Sequence, residues 1–142
     1  MNSLTINGHR IAHDIAGQGD VTAILETGIG AESAEWSPVA SALADHMRVL
    51  TYDRAGRGAS DLVSGVCTVA DMQNDLFALI DATGLTAPFI VVGHSFGGGC
   101  WRARLPGNGA SFYAVSCSSG RCILSSSIGS ARPALSSRRR LR

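Results

Sequence analysis

Two absences bound where this protein can act. Lysine is missing altogether, so every basic side chain apart from histidine is an arginine. No apolar run approaches the ~18 residues that a membrane-spanning helix requires, and the first residues lack the basic and apolar regions of a secretion signal. We therefore expect a chain that works in the cytoplasm and has no membrane partner.

Acidic residues and histidines are missing from the end of the chain. None follows Ser95, although the 142 residues include 11 acids and 4 histidines. Residues 1–99 hold all 11 acids and 4 arginines, a net charge of −7, whereas residues 100–142 hold 8 arginines and carry +8. The overall net charge of +1 hides this division, and by itself it indicates no specific nucleic-acid partner.

The composition is otherwise that of a globular domain. Apolar residues make up 45% of the chain and charged residues 16%, which suits one core in 142 residues. Four cysteines are present, but Cys117 and Cys122 have neither the paired spacing nor the downstream histidine of a zinc site. Without a secretion signal we interpret the cysteines as free thiols, and we expect no metal or cofactor.

Strand and helix patterns alternate over residues 1–99. An Asn7-Gly8 turn separates two segments of alternating polarity, residues 3–6 and 10–15, which predicts a β-hairpin. Three apolar segments then predict buried strands separated by two helices. The strands are at residues 21–26, 47–53 and 89–92. The first helix begins at Ser37-Pro38, with Ser37 as its N-cap. The second begins at Thr68, which has capping-box spacing with Asp71, and ends at Gly84. This order predicts an α/β fold in which the hairpin is followed by a parallel βαβαβ unit.

The pattern changes after Gly99. Residues 100–142 contain 10 serines and 8 arginines, with few periodic apolar positions. The pattern allows short strands at residues 112–115 and 122–124, but no helical pattern accompanies them, so we predict an irregular tail that is disordered or poorly packed. The domain prediction is therefore a partial α/β domain over residues 1–99 and a Ser/Arg-rich tail over residues 100–142.

The segment Gly93-His94-Ser95-Phe96-Gly97, which we call the elbow, carries the chemistry. A serine hydroxyl is a weak nucleophile, so an enzyme that uses one must expose it, place a base beside it and stabilise the oxyanion that forms. A sharp strand-to-helix turn exposes the serine, flanking glycines relieve the crowding, and the helix N-terminus presents backbone N–H groups to an anion. An apolar strand before the elbow and two further glycines after it fit such a turn.

Three motifs in this order resemble the α/β-hydrolase family, which includes esterases, lipases, peptidases and dehalogenases. The elbow is preceded by residues 25–30 (LETGIG), with Trp36 after them, and by residues 52–61 (YDRAGRGASD), which look like the family's loop after its fourth strand. The resemblance covers residues 3–99. It implies the N-terminal half of an α/β-hydrolase fold.

The resemblance also implies a site and an activity. Ser95 would be the nucleophile, and the backbone N–H groups of Phe96 and Ile29 would form the oxyanion hole. The family usually has His-Gly where this chain has Thr27-Gly28, a change that leaves those backbone donors usable. The implied protein is a serine hydrolase that acts on an ester, amide or related bond of a small-molecule substrate without metal or cofactor, and its protein partners stay open.

The acid and the histidine that would complete a catalytic triad with Ser95 are not found in the sequence. In the family the acid and then the histidine of the triad follow the serine, but no Asp, Glu or His follows Ser95 here. His94 is adjacent in sequence, yet neighbouring residues on such a turn point apart, and a base must approach the hydroxyl to about 3 Å. We therefore expect little or no turnover from this chain.

Several other polar residues have structural interpretations that we favour. Asp53, Arg57 and Asp61 could bind a substrate, but loop residues of these types more often hold their own turn by hydrogen bonds. Glu26, at the end of a strand, could be an acid, but no histidine is placed beside it and we favour a solvated or capping role. The apolar residues at helical spacing that could line a pocket are interpreted as core: Met72, Leu76, Phe77 and Ile80.

Two interpretations of the tail stay open. The loss of every acid favours a shifted reading frame beyond Gly99, which the other frames of the DNA would test by encoding a helix, a strand, an Asp and a His. The alternative function is a non-catalytic hydrolase fragment whose basic tail binds polyanions, with affinity that falls as salt rises. Without further strands, residues 89–92 would form a bare apolar edge, and we expect low stability and aggregation.

Overall fold

The computed structural model describes residues 1–100, 112–118 and 121–125. Within these ranges, seven strands form one sheet, accompanied by three α-helices and one 3₁₀ turn. The strands are β1 (Asn2–Ile6), β2 (His9–Ala16), β3 (Thr22–Glu26), β4 (Arg48–Tyr52), β5 (Phe89–His94), β6 (Phe112–Ser118) and β7 (Arg121–Ser125). The helices are α1 (Ser37–Ala44), α2 (Val69–Thr83) and α3 (Phe96–Cys100), and the 3₁₀ turn, η1, is Ser33–Trp36.

The sheet order places the predicted parallel strands at its centre. The order is β1-β2-β4-β3-β5-β6-β7. Strands β4, β3 and β5 are parallel to one another, and the β1–β2 hairpin joins them through an antiparallel pairing of β2 with β4. This confirms the predicted α/β fold. The carboxyl ends of β3, β4 and β5 therefore lie at one edge of the sheet, where the connections to the following helices begin.

The opening hairpin turns at the predicted dipeptide. Asn7 and Gly8 have φ angles of +50° and +89°, the positive values that a two-residue turn between right-twisted strands requires. The strands pair from Ile6 opposite His9 to Asn2 opposite His13. Local turn chemistry alone was therefore sufficient to place this element.

The two longer helices begin in different ways. α2 has the predicted capping box, in which the Asp71 N–H donates to Thr68 Oγ1 at 3.2 Å and the Thr68 N–H donates to the Asp71 carboxylate at 2.9 Å. Gly84, with φ of +70°, ends it. The prediction of Ser37 as an N-cap is wrong, because η1 runs directly into α1 and makes Trp36 the capping residue, while the Ser37 hydroxyl donates back to the η1 backbone.

Successive residues of β3 supply the cores on the two faces of the sheet. Ile24 packs on the face covered by α2, whereas Ala23 and Leu25 pack on the face covered by α1. The α2 face holds the larger cluster. Of the four residues predicted as core, Leu76 and Ile80 are buried in this cluster, Phe77 packs against it, and Met72 is half-buried.

The sheet continues past β5, contrary to the expectation of a bare edge. β6 pairs in parallel with β5, from Phe89 opposite Phe112 to His94 opposite Cys117, and β7 adds an antiparallel strand beyond it. The expected edge at residues 89–92 is therefore wrong, because backbone pairing needs no covering helix to form. Both candidate strands of the predicted tail are present and longer than expected, so the irregular tail does not hold over these two segments.

The rest of the predicted tail lies outside the described residues. That includes every tail arginine except Arg121, the first residue of β7, so polyanion binding and a boundary at Gly99 stay predictions. Cys117 is disulfide-bonded, which corrects the interpretation of it as a free thiol, while Cys67 and Cys100 are free. Among the helices that the structure describes, none has the length and apolar character needed to cross a bilayer.

Candidate active site

Ser95 occupies the junction between β5 and α3 with a backbone that few residues adopt. Its φ is +52°, and Asn7 is the one other non-glycine residue with positive φ in the described part of the chain. Such a conformation costs of order 1 kcal/mol or more and persists where the surrounding structure enforces it. The Ser95 N–H donates to the Cys117 carbonyl of β6 at 2.9 Å, and the residue is exposed.

The glycines on either side of Ser95 are required by close packing. A methyl group added at Gly93 would lie 2.3 Å from the backbone nitrogen of Gly98, and one added at Gly97 would lie 2.5 Å from the carbonyl oxygen of Thr27. Both separations are far inside van der Waals contact. The elbow therefore forms because side chains are absent at these two positions, as its sequence predicts.

The turn that follows β3, residues 27–30, packs directly against the elbow. Besides the contact of Gly97 with Thr27, a methyl group at Gly28 would lie 3.2 Å from His94 Nδ1. The Ile29 side chain is 75% exposed. No backbone hydrogen bond within the described residues uses the N–H of Ile29 or of Phe96, so both predicted oxyanion donors are free of internal acceptors there.

None of the four histidines is hydrogen-bonded to Ser95 in the part of the chain that the structure describes. His94 is exposed and lies against Gly28, and His13 is buried within the sheet. His9 pairs with Asp75 of α2 at 3.0 Å, and these two line a separate cavity of about 540 Å³ that Ser95, Phe96 and Ile29 do not line. The described residues therefore provide no histidine as a general base for Ser95.

Glu26 is buried, contrary to the prediction of a solvated or capping role. It is 2% exposed, Arg54 Nη1 donates to its Oε1 at 2.8 Å, and the Tyr52 hydroxyl donates to its Oε2. That prediction is wrong because a carboxylate at the end of a buried strand needs a buried partner. The sequence alone gave no signal for this partner, because Arg54 follows a strand whose place beside β3 is known only from the sheet order.

The buried carboxylate affects the acidity of its neighbours. Burial, reinforced by the charge of Glu26, raises the pKa of Tyr52 well above its ordinary value. The same two causes, burial first, raise the pKa of Cys100. Tyr52 is therefore fixed as a hydrogen-bond donor, and the Cys100 thiol stays neutral rather than offering a second nucleophile beside the elbow.

The acidic residues of the loop after β4 have structural roles, as predicted, although the Asp61 side chain bonds to β2 rather than to its own turn. Asp53 is buried and accepts from the N–H groups of Ser33 at 2.8 Å and Ala59 at 2.9 Å. Asp61 accepts from the Arg10 N–H at 2.9 Å and pairs with its guanidinium at 3.1 Å. Arg57 is the exception, because its exposed guanidinium makes no hydrogen bond to the described residues.

Known proteins place this arrangement in a family. A profile described as the alpha/beta hydrolase family matches residues 24–142. The chain belongs to the alpha/beta hydrolase family. The predicted family resemblance and its fold are thereby confirmed.

The similar proteins are longer and differ in their names. RutD of Caulobacter segnis, named as a carbamate hydrolase, is 37% identical over 103 residues, which cover 69% of this chain and 38% of RutD. A Hormonema carpetanum protein named as the transporter efuK is 37% identical over 101 residues, which cover 67% of this chain and 14% of that protein. The crystal structure of the enol-lactonase from Burkholderia xenovorans superposes with a TM-score of 0.64 at 29% identity, covering 68% of this chain and 38% of the enol-lactonase. The chain thus spans less than two fifths of the length of each of these relatives.

Proposed function

We propose that this chain carries the nucleophile half of a serine hydrolase, with Ser95 attacking the acyl carbon of a small ester, amide or related substrate. The observation that carries the proposal is the positive φ of Ser95, +52°, at an exposed strand-to-helix junction. A buried structural serine has no need of that backbone, whereas a nucleophile that must project from the sheet edge does.

The proposed reaction is acyl transfer. Ser95 Oγ gives its proton to water as it forms a bond to the acyl carbon, and the resulting oxyanion accepts hydrogen bonds from the Phe96 and Ile29 N–H groups. Collapse of this intermediate breaks the bond to the leaving group, which takes a proton from water, and a second water then hydrolyses the acyl–Ser95 bond and returns a proton to Oγ. Two relatives favour this class of chemistry, since a carbamate and an enol-lactone both present an acyl carbon to a nucleophile.

The same proposal includes an impaired rate. No Asp, Glu or His follows Ser95 in the sequence, and His94 is occupied against Gly28 rather than bonded to the serine. Removing the base from a serine triad lowers kcat by about six orders of magnitude. Substrate binding and the oxyanion hole still provide some rate enhancement. We expect Ser95 to react slowly with an activated probe and ester turnover to be near background.

The test is labelling of the full chain with a fluorophosphonate, alongside hydrolysis of a short-chain aryl ester. Three proteins are compared: the parent chain, Ser95→Ala, and Ser64→Ala as a matched control, because Ser64 is also an exposed loop serine. We expect slow labelling of the parent and of Ser64→Ala, and none of Ser95→Ala, with mass spectrometry placing the adduct on Ser95.

The two parts of the proposal fail separately. Equal labelling of the parent and Ser95→Ala, in protein shown to be folded, would overturn Ser95 as the nucleophile. Rapid ester turnover that disappears in Ser95→Ala would support the nucleophile but overturn the impairment, and would mean that a base reaches the serine.

A further inference from the structure

Three buried polar side chains lie beneath the turn at residues 27–30. Glu26 and Tyr52 are each 2% exposed and Arg54 is 6% exposed. The 2.8 Å contact between Arg54 and Glu26 joins a cation to an anion in a place where either charge alone would be costly. Nothing in the proposed reaction uses this pair directly, so its position next to the elbow calls for a different explanation.

Arg54 also donates to the backbone of that turn. Nη1 donates to the Thr27 carbonyl at 3.2 Å, and Nη2 donates to the Gly28 carbonyl. The Gly28 carbonyl and the Ile29 N–H belong to one trans peptide plane, in which they point in opposite directions. Holding that carbonyl on Arg54 therefore aims the Ile29 N–H away from the guanidinium and leaves it free to donate.

The same guanidinium also reaches the residue after the proposed nucleophile. Its Cζ lies 5.6 Å from the centroid of the Phe96 ring, within the range of a cation–π contact. Arg54 thus contacts both segments that would supply oxyanion donors. A planar fork of five N–H groups can hold two adjacent carbonyls and a carboxylate at once, which a lysine ammonium cannot do with the same geometry.

We propose that Arg54 is a positioning residue for the oxyanion hole, and that Glu26 serves to balance its charge. Arg54 is buried beneath the turn, so it acts through the Gly28–Ile29 peptide rather than by touching substrate. This inference rests on the proposed function of Ser95. It assigns a reason for the Glu26–Arg54 pair to lie at this edge of the sheet, next to the elbow.

The test uses the double variant Glu26→Gln/Arg54→Met, which removes both charges together and so leaves no buried ion unpaired. Arg57→Met is the matched control, because that arginine belongs to the same loop but its guanidinium is exposed. Circular dichroism shows whether each protein is folded. The fluorophosphonate labelling rate and the ¹⁵N–¹H resonances of Ile29 and Phe96, before and after labelling, are then measured on the full chain.

We expect the double variant to label at Ser95 about 10- to 100-fold more slowly, since losing one oxyanion donor costs about 10²–10³ in rate and here the donor is misaligned rather than removed. In the parent and in Arg57→Met, phosphonylation should shift both amide protons downfield. In the folded double variant only the Phe96 amide should shift. General loosening of the fold would alter both resonances together, so this difference separates positioning from simple stabilisation.

The contrary outcomes are distinct. An unchanged rate, or an Ile29 shift that persists in the folded double variant, would overturn the positioning role while leaving Ser95 as the nucleophile. A parent chain that does not label at Ser95 would overturn the proposed function and this inference with it.

Discussion

The connections that follow the neighbouring strands β3 and β4 are built in opposite ways. The connection after β4, residues 53–68, contains side-chain hydrogen bonds of its own: the Ser60 hydroxyl donates to the Asp53 carbonyl at 2.7 Å, and Thr68 closes the segment with a capping box. The connection after β3, residues 27–36, has no side-chain cap at either helix that it enters. One segment is capped by its own side chain and the other is not.

The uncapped connection is supported by its neighbour. Arg54 holds the carbonyls of Thr27 and Gly28, and Asp53 accepts from the Ser33 N–H at 2.8 Å. Because these hydrogen bonds are made on the buried side of the turn at residues 27–30, the N–H groups on its outer side remain free to donate. The candidate binding turn is thus held by side chains of the neighbouring connection, whereas the scaffold loop also has side-chain hydrogen bonds and a cap of its own.

The largest effect should come from separating the turn from the elbow. In Gly97→Ala the new methyl would lie 2.5 Å from Thr27 O and 2.7 Å from Glu26 O, both backbone atoms that cannot rotate away. We expect the free energy of unfolding to fall by about 3 kcal/mol, the upper part of the range for overpacked sites. Urea denaturation followed by circular dichroism measures it.

Gly99→Ala is the control for that change. It lies in the same short helix, but an added methyl there meets nothing within 4 Å. Replacing a helical glycine with alanine in open space should leave stability unchanged or raise it by up to about 1 kcal/mol. Equal losses in the two variants would mean that the helix itself, and not its contact with the turn, is sensitive.

A second change removes the support that the β4 connection gives to its neighbour. Asp53→Ala deprives the Ser33 and Ala59 N–H groups of a buried acceptor, and we expect a loss of about 2 kcal/mol because unsatisfied buried donors are costly. Asp61→Ala, whose ion pair with Arg10 is largely exposed, should cost under about 1 kcal/mol. Thermal or urea unfolding of both variants compares them, and a larger loss for Asp61→Ala would contradict the proposed dependence of one connection on the other.

Interactions between residues close in sequence were predicted, whereas an interaction between residues far apart in sequence was not. The Asn7-Gly8 turn, the Thr68 capping box and the elbow are each marked in the sequence by residues within a few positions of one another, and each was predicted. Glu26 and Arg54 are 28 residues apart, and their pairing depends on two strands lying side by side. Periodicity and spacing contain no record of that neighbourhood until the strand order is known.

The same reasoning explains two smaller errors. Serine is a residue type favoured at N-caps, but the 3₁₀ turn before Ser37 already supplies a helical backbone. A propensity applied to one residue at a time does not include that context. The bare edge at residues 89–92 was expected because no further strands were predicted, since the candidates at residues 112–115 and 122–124 have no helical pattern beside them. A strand needs a partner backbone more than it needs a covering helix, and β6 provides one.

The smallest effect concerns the end of the β4 connection and is sensitive to pH. Hydrogen bonds from the Thr68 side chain, and then from its backbone, hold the pKa of Asp71 below its ordinary value of 3.8. A carboxyl whose pKa is lower in the folded than in the unfolded state stabilises the fold above the unfolded pKa, and this contribution is lost as pH falls through the folded pKa. Thr68→Ala should therefore be less stable than the parent near neutral pH, because the cap is lost, and the difference from the parent should shrink below about pH 4. Thr68→Ser, which keeps the hydroxyl, should follow the parent in urea unfolding across this range, because the cap depends on an oxygen at that position and not on the methyl.

The contrary outcome is that Thr68→Ser is as destabilised as Thr68→Ala. The start of α2 would then be held by the packing of the threonine methyl rather than by its hydrogen bond. The contrast between a self-capped and an uncapped connection would lose its energetic basis.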